Sequence, residues 1–344
     1  MNFTKILIFS FFVILLSPLK GVYAEVYDPT DISDHWAESE IRQFVNSSLL
    51  EGYETPNGDH EIRPDQSISR AEFVTILNRV LELKKQPSGP DFEDVAGKWY
   101  EEQVYIAASN ELVNGVGNNK FEPERPITRA EIASVVMRAF KDEINMNEGT
   151  VKNFKDVSSD FWAYQTIQQA SKVGIINGVS ETMFKPNRDA SRAEAIVMIK
   201  RSLDKEISQL PDKEVLTKFV ADYNHDSRAA VDAEDISKFK QMDRRTLGYY
   251  KKLHQEATEV YIQWIEDYSL NLEYKVTSEP HFEVIKRSNR FAEVKLTNAF
   301  YDLTIIYPTN KKETYKRTEN GEYLLHKTEG QWKLYDLKFD KDWK

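Results

Sequence analysis

Ile127-Thr128-Arg129-Ala130-Glu131 is the stretch that decides the fold, because the chain repeats it. The same shape returns as Ile68-Ser69-Arg70-Ala71-Glu72 and as Ala190-Ser191-Arg192-Ala193-Glu194. Each arginine has a proline six positions before it, at Pro64, Pro123 and Pro186. Met three times at a fixed offset, the pentad defines a repeat. Ser or Thr with Glu three residues later is the capping box, which satisfies two orphan N–H donors at a helix start. Apolar helical spacing follows in Val74, Leu77 and Leu81, in Ile132, Val135, Val136 and Phe140, and in Ala195, Ile196 and Ile199.

Working outward, each copy shows the same order of parts. An acidic residue opens it: Asp31, Asp94 or Asp156. Trp36, Trp99 and Trp162 follow, at equal intervals of 63 residues. A first helix comes next, with apolar spacing in Ile41, Phe44, Val45, Leu49 and in Val104, Ala107, Ala108, Leu112. Gly52, Gly115 and Gly178 then turn the chain toward the proline and the pentad. The repeats span residues 27–88, 89–150 and 151–207. Two helices cannot bury such apolar faces alone, whereas three copies can pool them in one bundle.

The capping box accounts for the Ser/Thr and the Glu, and leaves the arginine unexplained. A cation in the first helical turn opposes the macrodipole, at a cost of up to about 1 kcal/mol. An anion placed there would offset it. Free N–H groups and the dipole favour one, and arginine adds bidentate donors for carboxylate or phosphate. The tryptophan offers a flat apolar plate suited to a sugar ring, and the glycine allows close backbone approach. The pattern points to a sugar bearing a negative group, held at up to three similar sites. Each residue also has a structural reading: a salt bridge for the arginine, core for the tryptophan, a helix C-cap for the glycine, a cap or turn for the aspartate.

Formal net charge is -10, which disfavours broad binding to nucleic acid. Apolar residues make up 40% of the 344, enough for ordinary globular cores, and the length suits about two domains. Residues 1–24 read as an export signal: Lys5, the apolar run Ile6 to Leu16, and Val22-Tyr23-Ala24 before a cleavage point, with the mature chain starting near Glu25. There are no cysteines, which excludes disulfides, cysteine metal sites and lipid attachment at a cysteine. No second membrane segment is expected, so retention at a surface would be non-covalent.

Residues 212–344 change character. Val215, Leu216, Phe219, Val220 and Tyr223 suit one helix face, a short piece lies around Ile236 and Phe239, and Leu247, Tyr250, Leu253, Ala257 and Tyr261 suit a long helix. From Leu270 the period falls to two, in Leu270, Leu272, Tyr274, Val276 and in Leu303, Ile305, Tyr307. Asn320-Gly321 and Glu329-Gly330 are turns. The expectation is an α+β domain with a curved antiparallel sheet. His225, His254, His281 and His326 show no metal-ligand spacing, and no nucleophile elbow or phosphate loop is present. No cofactor, metal or catalytic residue is expected, and a binding domain is favoured over an enzyme.

The runs Phe154-x-Asp156-Val157, Trp162-Ala163, Gly174-Ile175-Ile176-Asn177-Gly178, Phe184-x-Pro186 and Ser191-Arg192-Ala193-Glu194 resemble the S-layer homology repeat. Residues 92–131 are similar to it as well, and so is the first copy through Asp34-His35-Trp36-Ala37 and Ser69-Arg70-Ala71-Glu72. The resemblance implies an all-α pseudo-threefold trimer within one chain, a three-helix bundle with peripheral helices and grooves between the units. It implies that the grooves bind secondary cell-wall polysaccharide, often carrying pyruvate ketals on N-acetylmannosamine, and so tether the protein to a Gram-positive wall or surface layer. On that resemblance the groove residues are Arg70, Arg129, Arg192, Trp36, Trp99, Trp162, Asp31, Asp94, Asp156, Gly52, Gly115 and Gly178. The first copy departs with Pro29 in place of Phe92 and Phe154, and with Glu51-Gly52-Tyr53 in place of Asn114-Gly115-Val116 and Asn177-Gly178-Val179. The helix-then-sheet order of the last part resembles nuclear-transport-factor-like cone folds. The expected function is a wall-anchored surface protein presenting a ligand- or protein-binding domain; the alternative is a wall-anchored enzyme acting on a wall or small-molecule substrate.

Overall fold

The computed structural model describes residues 28–232 and 236–340. The expected export signal, residues 1–24, and the final residues 341–344 lie outside the described residues. The described chain divides into two compact units, residues 29–44 with 49–210, and residues 45–48 with 211–340.

Along the first unit run α1 (Glu38–Asn46), the strand pair β1 (Tyr53–Glu54) and β2 (His60–Glu61), α2 (Arg70–Leu81), α3 (Glu101–Ser109), α4 (Arg129–Ala139), α5 (Tyr164–Lys172) and α6 (Arg192–Leu203). All three capping boxes are formed. The Ser69, Thr128 and Ser191 side chains accept from the N–H of Glu72, Glu131 and Glu194, whose carboxylates reach back to the cap N–H. The helices α2, α4 and α6 are buried on almost every side, their first-turn arginines included. Around them α3 packs on α2, and α5 on α4.

What joins the three pentads is a closed exchange of backbone hydrogen bonds. Ile68 N–H donates to Ala190 O, Ala190 N–H to Ile127 O, and Ile127 N–H to Ile68 O, at 2.9–3.0 Å. The exchange continues one turn further along each helix. Arg70 and Ala71 donate to Arg125 O and Pro123 O, Arg129 and Ala130 to Arg188 O and Pro186 O, Arg192 and Ala193 to Gln66 O and Pro64 O. This corrects the expectation of free amides awaiting an anion. The first-turn donors that a helix leaves unpaired are filled by carbonyls of the next repeat.

The arginines are handed on in the same direction. Arg129 Nε donates to Phe184 O at 2.8 Å, one terminal nitrogen to Asn177 O at 3.1 Å and the other to Glu194 at 2.7 Å. Arg70 does the same to Phe121 O, Asn114 O and Glu131. Arg192 reaches Ile62 O, Glu72 and the Tyr53 hydroxyl. Burial lowers the pKa of Arg70 and Arg129, and the facing Glu131 and Glu194 work against that shift. The local cost of a cation at a helix start is therefore offset by a carboxylate from a neighbouring repeat.

In the second unit α7 (Lys213–Asp232), α8 (Ile236–Met242), a short 3-10 turn and α9 (Gly248–Tyr268) precede seven strands: β3 (Asn271–Val276), β4 (His281–Arg287), β5 (Phe291–Thr297), β6 (Phe300–Ile306), β7 (Lys312–Thr318), β8 (Gly321–Thr328) and β9 (Gln331–Phe339). Helices and antiparallel strands are as expected for an α+β domain. The difference is that the strands form two sheets, β3-β6-β7 and β4-β5-β8-β9. The helix α7 serves both. Its first half, with Leu216, Val220 and Tyr223, packs with Val294, Tyr323 and Leu325 of the four-stranded sheet. Its second half, with Ala230 and Val231, packs with Leu272, Tyr301 and Leu303 of the three-stranded one. Register shifts at Val284/Lys286 and Leu324/Leu325 bend the larger sheet.

Removing one partner of a buried ion pair leaves the other uncompensated, at a cost of roughly 3–5 kcal/mol. In a urea titration of the full chain, Arg129→Ala is expected to lower the extrapolated unfolding free energy by that order. Arg129→Lys should recover only part, since one ammonium cannot serve three diverging acceptors. An unfolding free energy for Arg129→Ala within about 1 kcal/mol of the parent would refute the structural role.

Candidate functional site

The capping glutamates sit at a charged rim. Glu131 takes Arg70 from the previous repeat and Arg125 from its own, at 3.0 and 2.6 Å. Burial alone would raise its carboxyl, but the hydrogen bonds from Arg125 and the Thr128 N–H, with the two guanidinium charges, bring it below the ordinary value. Glu194 likewise takes Arg129 and Arg188. The side chains of Arg125 and Arg188 are 35% and 40% exposed, whereas that of Arg129 is 4% exposed. The pentad arginine holds the fold, and the arginine four positions earlier faces outward.

Beside Arg188 lies a cavity of about 460 Å³, lined among others by Trp36, Arg129, Asn177, Gly178, Arg188 and Arg201. Three repeats contribute to it: Trp36 from the first, Arg129 from the second and the others from the third. Trp36, Trp99 and Trp162 are 60%, 66% and 64% exposed, so none is core. Each stands two residues before a first helix, with its ring outside. An exposed indole beside two guanidiniums can stack on a sugar ring while the cations meet its negative group.

The aspartates close a turn. Asp94 accepts from the N–H of Phe121 and Glu122, Asp156 from Phe184 and Lys185, Asp31 from Ile62 and Arg63. The second residue of each pair, Glu122, Lys185 or Arg63, has positive φ immediately before its proline. The carboxylate steadies a backbone conformation that L-residues seldom adopt. These aspartates act on the chain itself, and shape the floor on which the arginines rest.

The glycines do not cap helices in the left-handed conformation. Those positions fall four residues earlier, at Ser48, Glu111 and Gly174. A Cβ on Gly115 would come 2.6 Å from the Phe92 ring and 2.8 Å from Lys120 O, and one on Gly178 2.7 Å from the Phe154 ring. Close packing within the repeat fixes these two glycines, and Gly178 lines the cavity as a result.

The sequence reading missed Arg125, Arg188 and Arg201. The signal was present: Arg125 and Arg188 stand at one offset before the pentad arginine, and Arg79, Arg138 and Arg201 at one offset after it. In the second unit the histidines are not gathered. His225 and His281 are exposed, His254 is buried against Asp243 at 2.8 Å, and His326 stacks on Phe291. Burial lowers the pKa of His254 despite that carboxylate. Among the described residues no group of His, Cys, Asp and Glu could hold a metal ion.

Residues 91–133 and 153–196 match the S-layer homology domain. An amylopullulanase of Thermoanaerobacterium thermosulfurigenes is 33% identical over 187 residues, covering 52% of this chain and 10% of that protein. The exoglucanase XynX of Acetivibrio thermocellus is 31% identical over 199 residues, 56% of this chain and 18% of its own. An S-layer protein of Bacillus thuringiensis subsp. finitimus is 26% identical over 171 residues, 49% of this chain and 20% of its own. The chain thus spans a tenth to a fifth of the length of these relatives. The second and third pentads, with their capping boxes and buried arginines, fall within residues 91–133 and 153–196, and the chain carries S-layer homology domains there.

Proposed function

We propose that this is an exported protein held non-covalently at a Gram-positive cell wall. Residues 27–88 are a third, diverged S-layer homology repeat beside 89–150 and 151–207, and the three form a pseudo-threefold trimer. Its grooves bind secondary wall polysaccharide through pyruvate-ketal sugars. The observation that carries this is the cavity pairing exposed Trp36 with Arg188 and Arg201. S-layer homology domains anchor surface proteins to cell-wall polysaccharide, and one relative is named an S-layer protein. No described helix is long and apolar enough to cross a membrane.

The remaining part, residues 212–344, is proposed to be a ligand- or protein-binding domain without catalysis. In support, its buried ionisable groups are engaged with one another, as in Arg228–Glu319 at 2.6 Å and His254–Asp243 at 2.8 Å. A wall-anchored enzyme is the second reading, favoured by the enzyme names of two relatives.

Two outcomes are expected. The secreted chain should co-sediment with Gram-positive wall sacculi, less so as salt rises, because exposed charge pairs are screened. Each charge-assisted hydrogen bond is worth about 1.5–3 kcal/mol, so Arg188→Ala with Arg201→Ala should weaken binding at least tenfold while the thermal melt stays close to the parent's. Sedimentation unchanged by the pair would sink the groove assignment. In a peptidoglycan zymogram the chain should leave no cleared band; clearing would favour the enzyme.

A further inference from the structure

The three repeats interlock in a cycle, so each groove takes residues from all of them. The cavity by Trp36 receives Arg129 from the second repeat, and its basic rim, Arg188 and Arg201, comes from the third. Advancing every position by one repeat gives the other two grooves. One takes Arg70, with Arg125, Arg138 and Asn114 from the second repeat and Trp162 from the third. The other takes Arg192, with Glu51, Gln66 and Arg79 from the first repeat and Trp99 from the second.

That last groove differs from the others in three ways. Gln66 stands where the others have the exposed Arg125 and Arg188. Glu51 stands where they have Asn114 and Asn177, and it pairs with Arg79 at 3.4 Å, whereas Arg138 donates to Leu112 O. Tyr53 replaces Val116 and Val179. Its ring lies 4.8 Å under the Arg192 guanidinium, a place taken by Phe121 under Arg70 and by Phe184 under Arg129. Its hydroxyl accepts from Arg192 at 2.9 Å and donates to Glu72. Ile62 replaces Phe121 and Phe184, so Tyr53 restores the aromatic support that the first repeat lost. Trp99 itself borders a hollow of about 600 Å³ carrying Asp91, Glu93, Glu101 and Glu102.

The charge balance decides between the grooves. In the groove assigned to Trp162 by the one-repeat advance, Arg70 and Arg125 share Glu131, Arg125 also reaches Glu122, and Arg138 donates to Leu112 O and pairs with no carboxylate among the described residues. Beside Trp36, Arg129, Arg188 and Arg201 meet Glu194 and Asp65. In the groove assigned to Trp99, Arg192 pairs with Glu72, Arg79 with Glu51, and Arg63, stacked on Tyr53, pairs with Glu61, so each cation there has a carboxylate of its own. An anionic ligand gains in the first two and gains nothing in the last.

We propose that this chain has two working acidic-sugar sites, the grooves of Trp36 and Trp162, and that the groove of Arg192 is a structural joint closed by Tyr53. This rests on the wall-anchoring reading. The test is calorimetric titration of the secreted full chain with the methyl glycoside of 4,6-pyruvate-ketal N-acetylmannosamine, run beside sacculus co-sedimentation. A stoichiometry of two is expected, falling to one in Trp36→Ala and in Trp162→Ala. Glu51→Asn/Tyr53→Val/Gln66→Arg should raise it to three. A parental stoichiometry of three or one, or no loss of a site in either tryptophan variant, overturns the inference while sedimentation still upholds anchoring. Loss of both sugar binding and sedimentation overturns the anchoring reading, and this inference with it. Should the triple variant not fold, the parental count and the two tryptophan variants decide.

Discussion

Ile68, Ala190 and Ile127 pass one backbone hydrogen bond each around a closed loop, and all three are buried. None of these bonds exists within a single repeat. The capping boxes serve their amides within one repeat, but the N–H groups of Arg70 and Ala71, of Arg129 and Ala130, and of Arg192 and Ala193 are satisfied only when the neighbouring repeat is present, and buried N–H groups without partners cost about 1–3 kcal/mol apiece. The arginines add side-chain clasps running in the same sense. The cavity of Trp36 follows from this construction, since the interlock of Arg129 with the third repeat leaves an open seam where a tryptophan of the first repeat stands.

Much of the first unit was legible because its determinants are local. A capping box is a three-residue relation, and the apolar spacing of α2, α4 and α6 is a one-turn relation. The partners of the arginines were not legible, because they lie 61, 65 and 120 residues away. Read locally, Arg129 looks like a cation opposed to a helix dipole; read in three dimensions, it is half of an ion pair. The glycines read as turns, but what requires Gly115 and Gly178 is an aromatic ring and a carbonyl of the same repeat, and what requires Gly52 is Glu61 O. The outward arginines escaped notice because Gln66 breaks their series.

In the second unit the helices and the alternating strands β3 and β6 could be anticipated from period alone, and β8 from the turns that bound it. The strand β7, Lys312–Thr318, could not, since its sequence Lys-Glu-Thr-Tyr-Lys-Arg-Thr has Tyr315 as its one apolar side chain. It is held by hydrogen bonds to β6 and by side-chain pairs such as Thr304–Thr314. The edge strand β4 is similar, with exposed residues alternating with half-buried ones. Nor does alternation along a strand say which sheet the strand joins. Here the chain returns to the smaller sheet with β6 and β7 after visiting the larger one with β4 and β5.

The closed loop also bears on the order in which the protein can mature. Ile68 finds its acceptor in Ala190, and Arg192 finds its carboxylate in Glu72, so the first repeat waits for the last to be synthesised. No sub-fragment ending before the third pentad has a complete set of partners. A chain threaded through a narrow export pore from its N-terminus would therefore stay pliable until nearly all of residues 29–210 had crossed. It would then lock in one step on the far side.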